Sequence, residues 1–232
     1  MVELWKRYEV RLDFLNRLCG SVPGSSELIA AWLEARKPKV KPPGGKSITE
    51  IQEEVFTTIA TQEPEVAEKM MLIFQRQADR LVVRSSTFRS HLKDCARIIG
   101  SLYVGKIKGE RSFASRFVNA VYHDEQEYWT TICDSAGNPV SKPTGTFEKP
   151  VHARLRDGSQ INCLKNFEFV QNARLTFKLK ILTVRTPKAR PAIAMEDLEI
   201  VLSYGATHGY GGERGDGEGR YLYQIKEIEN GG

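Results

Sequence analysis

The order of periodic segments in this 232-residue chain predicts an α+β fold. Three observations carry that prediction: apolar and polar residues alternate strictly in several segments, apolar residues recur at helical spacing in two others, and an alternating segment closes the chain. Read together, these segments follow the order β-α-β-β-α-β. The strands are predicted at 7–18, at 149–156 and 160–170, which together hold the second position, at 174–182 and at 220–228, and the helices at 86–104 and 194–204.

The strand at 174–182 has the clearest pattern in the chain. Leu175, Phe177 and Ile181 face one way, whereas Lys178 and Lys180 face the other. One side of this strand is therefore core and the other is cationic. The first strand, 7–18, shows the same alternation and opens the fold.

The two helices carry different signals. The helix at 86–104 has a buried stripe and, on another face, a cationic stripe in which Arg89, Lys93 and Arg97 fall at i, i+4 and i+8. The helix at 194–204 has acids in its first turns, where they interact favourably with the helix dipole. Both helices are expected on one side of an antiparallel sheet, which is the ferredoxin-like or RRM-like arrangement.

The remaining segments are interpreted as insertions in a single elaborated ferredoxin-like domain spanning 1–232. The segment at about 20–80 is predicted to be helical, with helices at 25–33, 47–60 and 63–80, and a second insertion covers about 105–147. Within the first insertion, prolines and glycines indicate a basic loop at 36–46. Its cationic residues are Arg36, Lys37, Lys39, Lys41 and Lys46.

Composition excludes several classes of protein. No apolar run approaches the length of a membrane span, and the N-terminus lacks the pattern of a secretory signal, so we expect a cytoplasmic protein, in a bacterial host if the gene belongs to a phage. The four cysteines show no CxxC spacing, which predicts reduced thiols rather than disulfides or zinc.

The net charge of +5 is unevenly distributed. Residues 84–116 carry eight bases against two acids, and residues 148–190 carry ten against three. If the fold brings these two segments together, their basic residues can form one surface that binds phosphates. The alternative is that the charged residues lie on separate faces and only contact solvent.

The most unusual stretch is the segment from Gly205 to Gly219, with seven glycines in fifteen residues. Glycine allows backbone amides to approach a phosphate or sugar closely, and Arg214 and Arg220 add positive charge. Neither GxxxxGK[ST] nor GxGxxG occurs here, so no nucleotide cofactor is predicted. A mobile loop tip is the alternative interpretation.

A helix followed by a glycine-rich loop ending in G-x-G-R-[FY] and a final strand resembles the RAMP superfamily, the repeat-associated proteins of CRISPR RNA processing and effector complexes, and related single-domain phage proteins. The resemblance rests on Gly205, Gly209, Gly211, Gly217, Gly219, Arg220 and Tyr221, with weaker support from RLDFLNRLCGSVP at 11–23. It implies that the loop and the basic helix contact the backbone of single-stranded RNA. The acids Glu213, Asp216 and Glu218 depart from the family pattern.

The leading hypothesis is a non-catalytic protein that binds single-stranded nucleic acid, RNA rather than DNA. Basic residues would neutralise phosphates, glycines would admit the backbone, and tyrosines would stack on bases. The nominated residues are Arg84, Arg89, Lys93, Arg97, Lys178, Lys180, Gly209, Tyr210, Gly211, Arg214, Gly217, Gly219, Arg220 and Tyr221.

Two other hypotheses remain open. A metal-independent endoribonuclease would use a histidine as general base, and His208 beside the loop is the best candidate among the four histidines. A phage-encoded protein that inhibits a host complex, assembles with itself into an oligomer or filament, or joins a CRISPR-type complex would instead show tight protein partnership. No metal site is expected, because no ligand spacing is specific.

Overall fold

The computed structural model describes residues 5–23, 71–102, 113–124, 128–154, 160–182 and 193–228. By its internal contacts the chain divides into two compact units. The first unit comprises residues 1–18, 75–142 and 170–232, and the second comprises residues 19–74 and 143–169. A single elaborated domain remains a prediction.

The described residues form an α+β structure of strands and helices. The strands are β1 (Trp5–Phe14), β2 (Arg17–Cys19), β3 (Val22–Pro23), β4 (Met71–Ile73), β5 (Gln75–Gln77), β6 (Arg80–Arg84), β7 (Val121–His123), β8 (Trp129–Thr131), β9 (Gly145–Arg154), β10 (Gln160–Gln171), β11 (Arg174–Leu182) and β12 (Tyr221–Ile228). The helices are α1 (Ser85–Leu102), α2 (Phe113–Ala120) and α3 (Met195–His208).

A four-stranded antiparallel sheet forms the centre of the first unit. Its order is β12-β1-β11-β7, so the first strand lies between the last strand and the strand at 174–182. Alternate residues of β1 and β11 are buried, and α1 and α3 pack on that side. The Phe88 ring of α1, for example, stacks on Phe177 of β11 with centroids 4.2 Å apart. The burial of these apolar side chains is the main stabilising contribution to the unit.

The strands at 149–170 do not join this sheet, which corrects the expected order. β9 and β10 pair with each other in antiparallel register from Arg154 opposite Gln160 to Gly145 opposite Phe169. They belong to the second unit's sheet, of order β2-β10-β4-β3 with β9 added to β10. In the first unit, β7 occupies the outer position beside β11 instead. The short VYH segment of β7 has too few residues to show a periodic signal, so no strand is predicted there.

The helix predicted at 63–80 is wrong for the part that the structure describes. Residues 71–80 contain β4 and β5 and enter β6, and a two-residue turn joins β5 to β6. Ala78 and Asp79 at this turn have φ of 46° and 59°. Positive φ at both central residues is the geometry that matches the twist of a two-residue hairpin. The helices predicted at 25–33 and 47–60 lie outside the described residues.

Helix α3 extends one turn beyond its predicted end. Gly205, expected to open the loop, lies buried inside the helix instead. A Cβ at this position would lie 2.4 Å from the Tyr221 hydroxyl oxygen and 2.8 Å from His91 Nε2. Glycine is therefore required for close packing of α3 against α1 and β12, and not for a turn. The helix begins with the Asp197 carboxylate accepting the Ala194 N–H at 3.0 Å.

Candidate nucleic-acid interface

The glycine-rich segment folds back on itself. The Tyr210 N–H donates to the Gly219 carbonyl oxygen at 2.9 Å. A Cβ added to Gly219 would lie 2.0 Å from the Tyr210 carbonyl oxygen, and one added to Gly209 would lie 2.3 Å from the Glu218 carbonyl oxygen. Both glycines also have positive φ. Their role is the close approach of two stretches of this chain's own backbone.

The expected phosphate cradle is not supported by three of its nominated glycines. Gly209, Gly217 and Gly219 each donate their backbone N–H to a carbonyl oxygen of this chain, at 2.8, 3.0 and 3.0 Å. An amide that already donates to a carbonyl is not available to a phosphate without breaking that bond. Gly211 also has positive φ, at 93°. The alternative of a mobile loop tip with no ligand stays a prediction, although these bonds define the backbone of the segment.

Side chains of the turn after β1 hold the segment in place. The Asn16 side-chain amide donates to the Gly217 carbonyl oxygen at 2.7 Å, and its oxygen accepts the Arg220 N–H at 2.9 Å. The Arg17 guanidinium donates through Nε to the Glu218 carboxylate at 2.9 Å. Glu218, an acid that is atypical for an RNA-contacting loop, therefore has a structural partner.

The two tyrosines nominated for base stacking are core residues, which corrects that prediction. Tyr210 is 4% exposed and Tyr221 is 1% exposed. Their hydroxyl groups bond to Thr87 Oγ1 at 2.5 Å and to His91 Nε2 at 2.9 Å. Burial raises the pKa of both phenols. Rings enclosed in this way present no face to a nucleobase.

His91 and Cys95 complete this buried cluster between α1 and the final strand. Burial, with a further contribution from the Arg214 charge, lowers the pKa of His91 to about 3, so its imidazole is neutral. Burial raises the pKa of the Cys95 thiol to about 12, so it is inert at neutral pH. Cys19 and Cys133 are also free thiols. This cluster packs the unit and has no access to a substrate.

His208, the candidate general base, lies at the C-terminal end of α3 and is partly buried. Its ring stacks on Tyr204 with centroids 5.4 Å apart. Burial and the Arg214 charge lower the pKa of His208, and Asp94 opposes that shift. A neutral imidazole can accept a proton, but stacking on Tyr204 also accounts for this position without catalysis.

The cationic stripe predicted on α1 does not form one continuous surface. Arg89 donates to the carbonyl oxygens of Val121 and Val118 at 2.8 and 2.6 Å, so its side chain joins α1 to α2 and β7. Arg97 is exposed, 3.9 Å from the Asp94 carboxylate, and Lys93 is partly exposed. Arg84 is exposed and its guanidinium lies 5.7 Å from the Tyr128 and Trp129 ring centroids.

Lys178 and Lys180 lie elsewhere, on the side of the four-stranded sheet that faces away from α1 and α3. We call this side the outer face. Burial alternation and strand register assign its residues, because buried positions of β1 and β11 face the helices and the intervening positions face away. Its polar and aromatic members are Trp5, Arg7, Glu9, Arg11, Asp13, Tyr122, Arg174, Thr176, Lys178, Lys180, Gln224 and Lys226.

Positive charge predominates on the outer face. Among its described strand positions, six are basic and two, Glu9 and Asp13, are acidic. Asp13 accepts from Arg174 at 2.6 Å and from Arg11 at 3.0 Å. Glu9 lies opposite a lysine on each neighbouring strand. A surface of this composition attracts polyanions.

Sequence reasoning missed most of this surface. Arg7, Arg11 and Lys226 were assigned to alternating strands but not nominated, and Trp5 and Tyr122 were not considered. The available signal was that alternate positions of 7–18 are charged, which puts those charges on the same side as Lys178 once β1 and β11 pair. The nominated residues instead divide between the two sides of the sheet. Arg214 lies on the helix side, where its charge acts on His91 and His208.

Arg36, Lys37, Lys39, Lys41 and Lys46 of the predicted basic loop lie outside the described residues, and their role stays a prediction. In the part of the chain that the structure describes, no group of three or more His, Cys, Asp or Glu side chains is arranged to hold a metal ion. Within the same residues, none of the helices has both the length and the apolar character needed to cross a membrane.

Comparison with known proteins gives little further guidance. No protein-family model matches the chain, and no curated protein is significantly similar to it. Among solved structures, the chain is similar to one in a cryo-EM structure of the Type III-B Cmr-beta complex bound to cognate target RNA, with 9% identity and a TM-score of 0.40. The match covers 97% of this chain and spans 61% of the length of the other. A likeness at this level carries no argument about function.

Proposed function

We propose that the protein binds single-stranded nucleic acid, RNA in preference to DNA, without cleaving it, and that the outer face of the four-stranded sheet is the binding surface. The observation that carries the proposal is the predominance of basic residues on that face, six against two acids. A flat sheet surface with spaced cations can follow the phosphates of an extended strand, because each cation releases a condensed counterion on binding. The preference for RNA rests on the resemblance of the glycine-rich segment to the RAMP superfamily.

We also propose that the first unit is a ferredoxin-like module. With β7 as its second strand, the unit runs β-α-β-β-α-β, and the sheet order β12-β1-β11-β7 is the order that such a module has. RNA-recognition modules use the sheet face opposite their helices to bind single strands. The proposed surface is the equivalent face here.

The test is fluorescence anisotropy with a labelled single-stranded RNA and its DNA equivalent, in chelator, over a range of salt concentrations. The double variant Lys178→Ala, Lys226→Ala should weaken RNA binding about tenfold, and should reduce the slope of log affinity against log salt by about 1.4, because two phosphate contacts are lost. Arg97→Ala is the matched control, since it removes a single exposed cation from the helix side. It should leave both quantities unchanged.

Three outcomes would contradict the proposal. Absence of binding at low salt would refute nucleic-acid binding and favour a protein partner or self-assembly. If Arg97→Ala lowers RNA affinity and the lysine variant does not, the binding surface lies on α1. RNA recovered cut, with cutting abolished by His208→Ala, would establish the endoribonuclease alternative in place of a non-catalytic protein.

A further inference from the structure

One corner of the outer face combines aromatic and cationic side chains. Trp5 begins β1 and Tyr122 lies in β7, and β11 runs between them. Their rings are in contact edge to face, with centroids 5.5 Å apart and planes at 90°. The Lys180 ammonium lies 5.6 Å from the Trp5 ring centroid. Both residues are only partly buried.

Two basic residues lie directly opposite each other at this corner. In the β1 and β11 register, Arg7 is opposite Lys180. Glu9, two residues along β1 on the same face, lies opposite Lys178. The Asp13 carboxylate, which accepts from Arg11 and Arg174, lies six register pairs from Arg7. A phosphate beside Arg7 and Lys180 would interact favourably with both charges.

Arg89 of α1 fixes the geometry of the corner. Its guanidinium donates to two carbonyl oxygens, those of Val118 and Val121, and lies 4.7 Å from the Tyr122 ring centroid. A guanidinium held by two hydrogen bonds over an aromatic face restrains that ring. Tyr122 is therefore preorganised, and Arg89 acts as a positioning residue rather than as a phosphate ligand.

We propose that this corner is a nucleotide subsite, in which Trp5 stacks on one base of a single strand, Tyr122 supports the Trp5 ring edge to face, and Arg7 and Lys180 bind an adjoining phosphate. The inference rests on the proposed function and assigns its base-contacting residue. Stacking on aromatic side chains is tolerant of sequence, because every base has a π face. The ligand is thus a nucleotide unit of a single strand and not a particular sequence.

The first measurement is the fluorescence of Trp5 in a variant in which Trp32 and Trp129, the other two tryptophans, are replaced by phenylalanine. Titration with a short single-stranded oligonucleotide should quench the remaining tryptophan at saturation. Titration with inorganic polyphosphate, which has charge but no base, should bind without that quenching. Equal quenching by both, or by neither while anisotropy reports binding, would overturn the subsite.

The second measurement compares affinity and salt dependence. Trp5→Leu and Tyr122→Leu should each weaken oligonucleotide binding about tenfold with the salt slope unchanged, since stacking releases no counterion. The matched control is Tyr128→Leu, because Tyr128 is 57% exposed and also pairs with a tryptophan and an arginine, away from the outer face. It should bind as the wild type does. The inference would be contradicted if Tyr128→Leu lowered oligonucleotide affinity, or if Trp5→Leu and Tyr122→Leu left it unchanged.

These outcomes separate the two proposals. If the wild-type protein does not bind single strands at all, the proposed function fails and the subsite fails with it. If the wild type binds and the outer-face lysines matter while the two aromatic variants bind normally, the function stands and only the subsite fails.

Discussion

The glycine-rich segment and the outer face of the sheet differ in the way each uses its polar groups. Between Gly209 and Gly219, backbone amides and the Glu218 carboxylate bond to other parts of the chain. On the outer face, charged side chains of adjacent strands stand side by side, and Arg7 lies opposite Lys180. Many polar groups of the segment bond to the chain itself, whereas the face accumulates positive charge. A region whose polar groups are already paired contributes to folding, and a region with excess charge is the better candidate for binding a polyanion.

The strongest test of this difference is a graded series of glycine substitutions. Gly219→Ala should lower the free energy of unfolding by about 3 kcal/mol or more, because it combines positive φ with a Cβ clash against backbone. Gly217→Ala has the positive φ but nothing within 4 Å, and should cost about 1 to 2 kcal/mol. Gly215→Ala, with neither feature, should stay within about 0.5 kcal/mol. Urea unfolding of the three variants gives the order, and equal effects would refute the structural role of the segment.

The buried His91 predicts a specific dependence of stability on pH. Its pKa is about 3 in the folded chain and 6.5 when solvated. Below pH 6.5 the unfolded chain binds a proton at this position that the folded chain does not. This contribution to stability is therefore complete above that pH and falls by about 1.4 kcal/mol per pH unit toward about pH 3.

His91→Gln removes the titrating group and keeps a partner for the Tyr221 hydroxyl. Unfolding by urea at about pH 7.5 and about pH 5 should show the wild type losing about 2 kcal/mol more than the variant on acidification. Identical losses in the two proteins would show that His91 is solvated or protonated in the folded chain.

The smallest expected effect tests whether Tyr210 contacts the RNA. Tyr210→Phe removes the hydroxyl that bonds to Thr87 and should lower the free energy of unfolding by about 1 kcal/mol. Because the ring is buried, RNA affinity measured by anisotropy should not change. A marked loss of affinity with stability retained would return this tyrosine to the interface.

Local patterns in the sequence predicted the elements far better than they predicted the site. Strands such as 174–182 and the helices α1 and α3 follow directly from periodicity. Strand β7, the second strand of the four-stranded sheet in chain order, could not be found in this way. It has only three residues, and the longer strands β9 and β10 have much clearer patterns. Pairing partners depend on tertiary packing that no local pattern encodes.

The predictions for the glycines and tyrosines of the glycine-rich segment failed because each feature allows two physical explanations. Glycines permit close approach of a ligand, but they equally permit close approach of the chain's own backbone, as at Gly219. Likewise a tyrosine beside such glycines can stack on a base or fill the core, as Tyr210 does. The cationic positions of β11 were identified correctly as outward-facing, and their neighbours on β1 and β12 follow only from the observed register.

The central claim is that the outer face, and not the glycine-rich segment with α1, contacts the nucleic acid. Lysine acetylation footprinting by mass spectrometry, with and without saturating single-stranded RNA, tests it most directly. The account predicts protection of Lys178, Lys180 and Lys226, with no change at Lys93 on α1 or at the exposed Lys142. Protection of Lys93 with the three outer-face lysines still reactive would contradict it.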